Sequence, residues 1–502
     1  VKILLLAGLL AAGAQAAGYR IAGIVVNAVS RQPVSGVRVT IAPAARPEER
    51  LPFVTGQDGR FVFAGVPQGQ YEIVAVRRGF LTAKFPGAIV AGPDEHTDTL
   101  VLAMAAPGLI SGRVTDELGD PVYQANCQLF RSTIQNGSRR LAIVSVKQTA
   151  DNGEYRFGGL EAGTYYLAVS GYPWYTKFNE THGDLPARSM THTGYGIQYY
   201  RGAGDPAAAE PIALKPGQEI SADFALVPLP AVSVRVHVEG GDDSTMRYQL
   251  SAQGPGGNPV TVRQGSEAGD IYNFWGVPPG HYTLEVRDGL YAREPLDLGA
   301  VDVDVNVRLS EAPSLSGTVE VEGGAVLPAG AAVVIADADT GASQTAPIGA
   351  GGRFSIQGIP PEHYHVALTG AGDDYLKRWS AEGVSAIHLK LLAAKGAGIS
   401  GKVQRDGQPV PGALVVLANS EGSRATETAS DGSYEMRGVA PGTYAVCVVE
   451  DGADLEYANP AAMQGYMGSA KQVKMAVAGS YNQNLELPAA TTDRPASASP
   501  RP

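Results

Sequence analysis

The stretch of this 502-residue chain best equipped for chemistry runs from Tyr172 to Tyr200. It reads YPWYTKFNETHGDLPARSMTHTGYGIQYY and holds seven aromatic side chains: Tyr172, Trp174, Tyr175, Phe178, Tyr195, Tyr199 and Tyr200. Asn179, Glu180, His182, Asp184 and Gln198 are interspersed. Flat rings stack on the apolar faces of sugars, while amides and carboxylates bond to their hydroxyls. The candidate ligand-binding set is therefore Tyr172, Trp174, Tyr175, Tyr195, Tyr199 and Tyr200. The competing reading is structural, because a long insertion needs a small core of its own and aromatics supply one.

Catalytic and metal-binding patterns are harder to find. The histidines are His96, His182, His192, His237, His281, His363, His365 and His388; none begins His-x-x-Glu or His-Glu-x-x-His, the usual zinc spacings. No Gly-x-Ser-x-Gly elbow occurs. The run GAGISGKV from Gly396 nearly writes a phosphate-binding loop. Val403 stands where the Mg²⁺-binding hydroxyl belongs, however, and a strand follows where a helix should. His363 and His365 flank Tyr364, and Asp302 and Asp304 alternate with valine; both pairs read as solvated strand faces. The expectation is a non-enzymatic protein with no metal and no cofactor.

The elements that position these residues are set by a fourteen-residue motif, clearest at 431–444 as DGSYEMRGVAPGTY. Further copies are DGRFVFAGVPQGQY (58–71), NGEYRFGGLEAGTY (152–165), GDIYNFWGVPPGHY (269–282) and GGRFSIQGIPPEHY (351–364). Each opens on a turn dipeptide that accepts positive φ. Period-two alternation of a half-buried strand follows, then a Gly, a Pro- or Gly-bearing bend, and a Tyr. The pattern predicts an antiparallel strand–bend–strand unit. The Tyr resembles a tyrosine corner, whose hydroxyl ties down a connection. Because Tyr71, Tyr165, Tyr282, Tyr364 and Tyr444 are 80 to 117 residues apart, each repeat is long enough for its own core.

The first residues, VKILLLAGLLAAGAQAAG, have the charge, apolar run and Ala-Gln-Ala ending of a secretory signal cleaved after Ala16. Loss of that segment, with Lys2, leaves 38 basic against 50 acidic residues, a charge of −12. Such a surface disfavours nucleic acid and anionic lipid, and the rest of the sequence holds no membrane-spanning helical segment. Cys127 and Cys447 lie in apolar runs of different repeats and read as buried free thiols. Short linkers, Ala106-Pro107-Gly108, Pro228-Leu229-Pro230, Ala312-Pro313 and Lys395-Gly396, predict a semi-rigid rod.

Repeat five opens ISGKVQRDGQPVPGALVVL and closes on its motif copy; repeats one and two follow the same plan, and repeats three and four diverge. This pattern resembles the carboxypeptidase regulatory-like domain. The resemblance implies a transthyretin-like sandwich related to starch-binding folds, and no peptidase centre. The expected fold is all-β, with five tandem Ig-like/transthyretin-like β-sandwich domains after a signal peptide. The expected boundaries are 1–16 (signal), 17–106, 107–230 with the aromatic insertion, 231–312, 313–395, 396–490, and a disordered tail 491–502. The expected role is exported, periplasmic or cell-surface binding of a polysaccharide or surface glycan, with other cell-envelope proteins as further partners. The alternative is a spacer or adhesin-like stalk, stiffened in repeat five by a Lys402–Asn482 or Lys402–Asn484 isopeptide bond.

Overall fold

The computed structural model describes residues 18–93, 97–174, 192–240, 245–268, 270–338, 340–356, 363–383 and 386–488. The signal-like segment and the terminal tail lie outside them. The protein is all-β: strands fill almost every described element, beside short 3₁₀ turns and the α-helix Pro460–Met467.

One plan recurs in all five repeats. The opening strand (Tyr19–Asn27, Gly108–Thr115, Val232–Glu239, Ser314–Val321, Ala397–Arg405) lies inside one sheet. It pairs antiparallel with the first strand of the motif and parallel with a strand near the repeat's end. The second sheet is built on Arg38–Pro43, Asn126–Gln135, Thr245–Gln253, Ala332–Asp337 and Leu414–Ala418. Each of these pairs antiparallel with the strand that carries the motif Tyr. The two strands of the motif thus belong to opposite sheets. The strand–bend–strand unit is an arch across the sandwich, not a paired hairpin, because alternation records which face is buried and not which strand is the neighbour. The faces that meet between the sheets form five apolar clusters, one per repeat.

Three local devices recur among the sandwiches. Tyr71, Tyr165, Tyr282 and Tyr444 donate their hydroxyls to the carbonyls of Pro67, Glu161, Pro278 and Ala440, at 2.7–2.9 Å. These are the tyrosine corners the motif predicts; residue 360, four before Tyr364, lies outside the described set.

The second device is a glycine facing an aromatic ring. Gly23, Gly112, Gly317 and Gly401 of the opening strands stand directly opposite Phe61, Tyr155, Phe354 and Tyr434. A Cβ at any of these glycines would strike the carbonyl oxygen of Leu100, Ala222, Leu389 or Gln483 on the neighbouring chain segment. The Tyr434 hydroxyl donates to that same Gln483 carbonyl at 2.7 Å, and Tyr155 bonds Ala222 O likewise. In repeat three Val236 takes the glycine's place opposite Tyr272. That ring is instead stacked on Tyr248, with centroids 4.4 Å apart.

The third device is a buried threonine. Thr55, Thr149 and Thr428 each accept a backbone N–H (Val37, Ala125, Ala413) and donate to a carbonyl (Val34, Val122, Val410). They pin the Pro-Val turn that leads into the second sheet. The spacing Thr-x-x-Asp/Asn-Gly before the motif marks them in repeats one, two and five.

Cys127 and Cys447 are buried free thiols in separate repeats. Burial pushes their pKa up to about 12 and about 11.

The repeats do not form the rod that their short linkers predict. Repeat five turns back onto repeat one, where Ser430 N–H donates to Ala88 O at 2.9 Å and Val90 N–H to Ser430 Oγ at 3.0 Å. It also meets the Asn136-Gly137 hairpin of repeat two: Ala458 N–H reaches Gly137 O at 2.9 Å, and Arg139 Nε reaches Glu456 at 2.8 Å. Repeats two and three share an apolar seam of Phe130, Ala168, Tyr199 and Val260. Arg263, also buried, seals that seam by donating to the carbonyls of Gly171 (2.8 Å) and Gly276 (2.6 Å). Short linkers limit slack, but the direction of each step is set by the faces that pack.

Candidate functional site

The structure distributes the six candidate aromatics rather than gathering them. Tyr195, on the strand Thr193–Tyr195, is 2 % exposed within the repeat-two core and donates its hydroxyl to Glu117 at 2.8 Å. Tyr199 is 1 % exposed in the seam with repeat three, where burial raises its pKa to about 12. Neither ring offers a face to a sugar, so both leave the candidate set. Tyr200 is half-buried against the same core, with the Arg201 guanidinium 5.6 Å from its ring centre. Tyr172 is half-buried, and the Arg263 guanidinium lies 5.4 Å from its ring. Trp174 is 71 % exposed. Tyr175, like Phe178, lies outside the described residues. The structural reading of the insertion thus holds for its C-terminal part, and among the described rings of this stretch the one that faces solvent is Trp174.

The remaining sequence candidates are quiet. His363 and His365 are exposed on one strand face. Asp302 accepts from Ser233 N–H at 2.8 Å, and Asp304 lies 3.6 Å from Arg235 and 3.2 Å from His237. Among the described residues, no three of His, Cys, Asp and Glu converge as metal ligands would. The Lys402 ammonium lies 3.3 Å from Asp431, while Asn484 Oδ1 accepts the Lys402 backbone N–H. That arrangement is an ion pair and a strand contact.

A cleft of about 1380 Å³ opens on the outer face of the second sheet of repeat three. Sequence reasoning passed over it. Its floor is the solvent side of Pro259–Ala268, Thr245–Gln253, Gly280–Arg287 and Tyr291–Leu298, which pair in that antiparallel series. Arg140 of repeat two and Asp337 and Thr340 of repeat four close its edge. The floor is polar because the strands alternate: Met246, Tyr248 and Leu250 turn into the core, and Arg247, Gln249 and Ser251 turn into the cleft. That alternation is visible in the sequence TMRYQLSAQ. What the sequence does not carry is the wall supplied by two other repeats.

Comparison with known proteins bears on two of the five sandwiches. Residues 20–104 and 398–487 match the model of the family described as "Carboxypeptidase regulatory-like domain". These two segments are carboxypeptidase regulatory-like domains. The regulatory-like domains are thus repeats one and five, the pair joined through Ala88, Val90 and Ser430. Repeat two shares their glycine–aromatic pair and buried threonine but lies outside the matched residues. No curated protein matches the sequence. Among solved structures, the minor pilin of Streptococcus agalactiae is similar at 11% identity and TM-score 0.23, over 42% of this chain and 97% of its own. The shaft pilin SpaA of Lactobacillus rhamnosus GG is similar at 12% and 0.20, over 43% and 99%. The Bacillus anthracis TIE protein is similar at 10% and 0.17, over 94% and 68%. These likenesses are too loose to carry function.

Proposed function

We propose that the chain is a non-enzymatic, exported binding protein whose sandwiches form one platform for carbohydrate or a cell-surface glycan. The observation that carries the binding reading is Trp174. Its indole is 71 % exposed where the polypeptide enters the aromatic insertion, next to a segment anchored through Gly171 O and Tyr172 to the buried Arg263. A large exposed ring on a fixed base is how sandwich modules present a stacking surface, and long loops on rigid scaffolds are where recognition concentrates. Tyr172, Tyr175 and Tyr200 complete the reduced candidate set.

The second reading, a stalk or spacer that binds cell-envelope proteins, draws on the tandem architecture. The contacts of repeat five with repeats one and two weigh against it, because a stalk keeps its modules in line. No helix among the described residues is long and apolar enough to cross a membrane.

Calorimetric titration of the full chain against neutral soluble polysaccharides tests the proposal. Saturable binding to at least one of them, lost in Trp174→Ala without change in melting temperature, is the expected result. Absence of binding across the series would move the assignment to the stalk.

A further inference from the structure

The cleft over repeat three carries a charge pattern that its fold does not require. Arg247 and Arg287 stand directly opposite one another on adjacent antiparallel strands, and both line the cleft. Like charges in that register repel and destabilise the pair. Arg287 is partly compensated by Glu285 at 2.6 Å, whose carboxylate also lies 4.0 Å from Arg293. No ion-pair partner of Arg247 is found among the described residues. With Arg140 and Arg293, the lining holds four guanidinium groups against two carboxylates, Glu285 and Asp337. This local excess of positive charge sits in a chain whose net charge is −11.

We propose that this cleft binds an anionic polysaccharide, with the Arg247–Arg287 pair on its acid groups and Gln249 and Gln264 on its hydroxyls. A guanidinium presents parallel N–H donors that match a carboxylate or sulfate. An acid group seated between the two arginines converts their repulsion into shared attraction. Gln249 and Gln264, directly paired on the next row of the sheet, both donate and accept, as neighbouring sugar hydroxyls require. At about 1380 Å³ the cleft is larger than the ~300–1,000 Å³ of ordinary small-ligand pockets. That size suits several sugar units better than a single anion. The inference takes only the class of polymer from the carbohydrate reading above; its charge preference and its location come from the cleft.

The test is calorimetric titration of the full chain with polygalacturonate, its methyl ester, dextran sulfate and poly-glutamate, for wild type, Arg247→Gln and Arg287→Gln. The expected result is binding to polygalacturonate that weakens with added salt. The uncharged ester and each variant should bind about tenfold more weakly or worse. Without ligand, Arg247→Gln should melt higher than wild type, since it removes the repulsion; this also shows that the variant folds. Binding of dextran sulfate in place of polygalacturonate keeps the proposal and assigns the acid group as sulfate. Equal affinity for ester and acid, or unchanged affinity in Arg247→Gln, overturns it. Tighter binding of poly-glutamate than of either anionic glycan also overturns it, in favour of an acidic protein partner. If neutral glycans alone bind, through Trp174, this proposal fails and the broader carbohydrate function stands. If no polysaccharide of either charge binds, both fail.

Discussion

Tyr444 and Asp431 show how much of each sandwich hangs on single hydrogen bonds. The Tyr444 hydroxyl reaches Ala440 O at 2.8 Å across the bend that carries the chain between sheets. Tyr444→Phe should cost repeat five about 1 kcal/mol, the net worth of one such bond, and an unchanged thermal midpoint would remove the corner's structural role. Asp431 offers a pH test. Burial works to raise its carboxyl pKa, but Ser433 Oγ and N–H and the Lys402 ammonium outweigh burial and hold it below the ordinary 3.8. A depressed folded-state pKa stabilises the fold above the unfolded value, and that contribution is lost as pH falls through the folded one. Repeat five should therefore keep this contribution at neutral pH and lose it below about pH 4. Asp431→Asn should be less stable at pH 7 and flatter in its acid limb; an acid limb of wild-type steepness in that variant would count against the assignment.

For whole elements, the opening strand depends on the glycine that faces the motif's first aromatic residue. At Gly401 a Cβ would collide with Gln483 O and come within 3.0 Å of the Tyr434 ring. The backbone on one side and a hydrogen-bonded ring on the other leave it no room to relax. Gly401→Ala should destabilise repeat five by about 1–3 kcal/mol, as overpacking does, read as a lowered denaturation midpoint with unchanged m-value. Repeat three shows the alternative solution: with Val236 at this position, the facing Tyr272 stacks on Tyr248. The arch has a matching backbone requirement at the Gly that follows the alternation. Gly65, Gly159, Gly276 and Gly438 adopt φ between 59° and 76°, a left-handed conformation that bends the strand before it crosses to the other sheet.

In the whole molecule, the contacts of repeat five with repeats one and two fold the series back on itself. Solution X-ray scattering distinguishes this from a rod. Five sandwiches in line, each roughly 35 Å across, would give a radius of gyration of roughly 50 Å. The closed arrangement should fall well below that, and a value near the rod's would overturn it. Arg140 of repeat two and Asp337 and Thr340 of repeat four meet at the edge of the repeat-three sheet, where a Cβ on Gly341 would come within 3.2 Å of the Arg140 side chain.

Local features of the chain suffice to read each strand's buried face, the bend glycine and the tyrosine corner, because each depends on residues within one turn or one strand of itself. The carboxypeptidase regulatory-like character of repeats one and five was legible for the same reason: its signature is a run of local turn and core residues. Tertiary structure alone decided which sheet each strand joined, since period-two alternation is identical whether the neighbour lies beside the strand or across the sandwich. It also decided the fate of the aromatic stretch. Tyr195, Tyr199 and Trp174 are alike in composition and context, yet two are buried by partners far away in sequence and one is left in solvent. The polar face of repeat three was present in the sequence as alternation, but a polar face is ordinary until other parts of the chain wall it in. Burial face is a property of a segment; enclosure is a property of several segments brought together by packing.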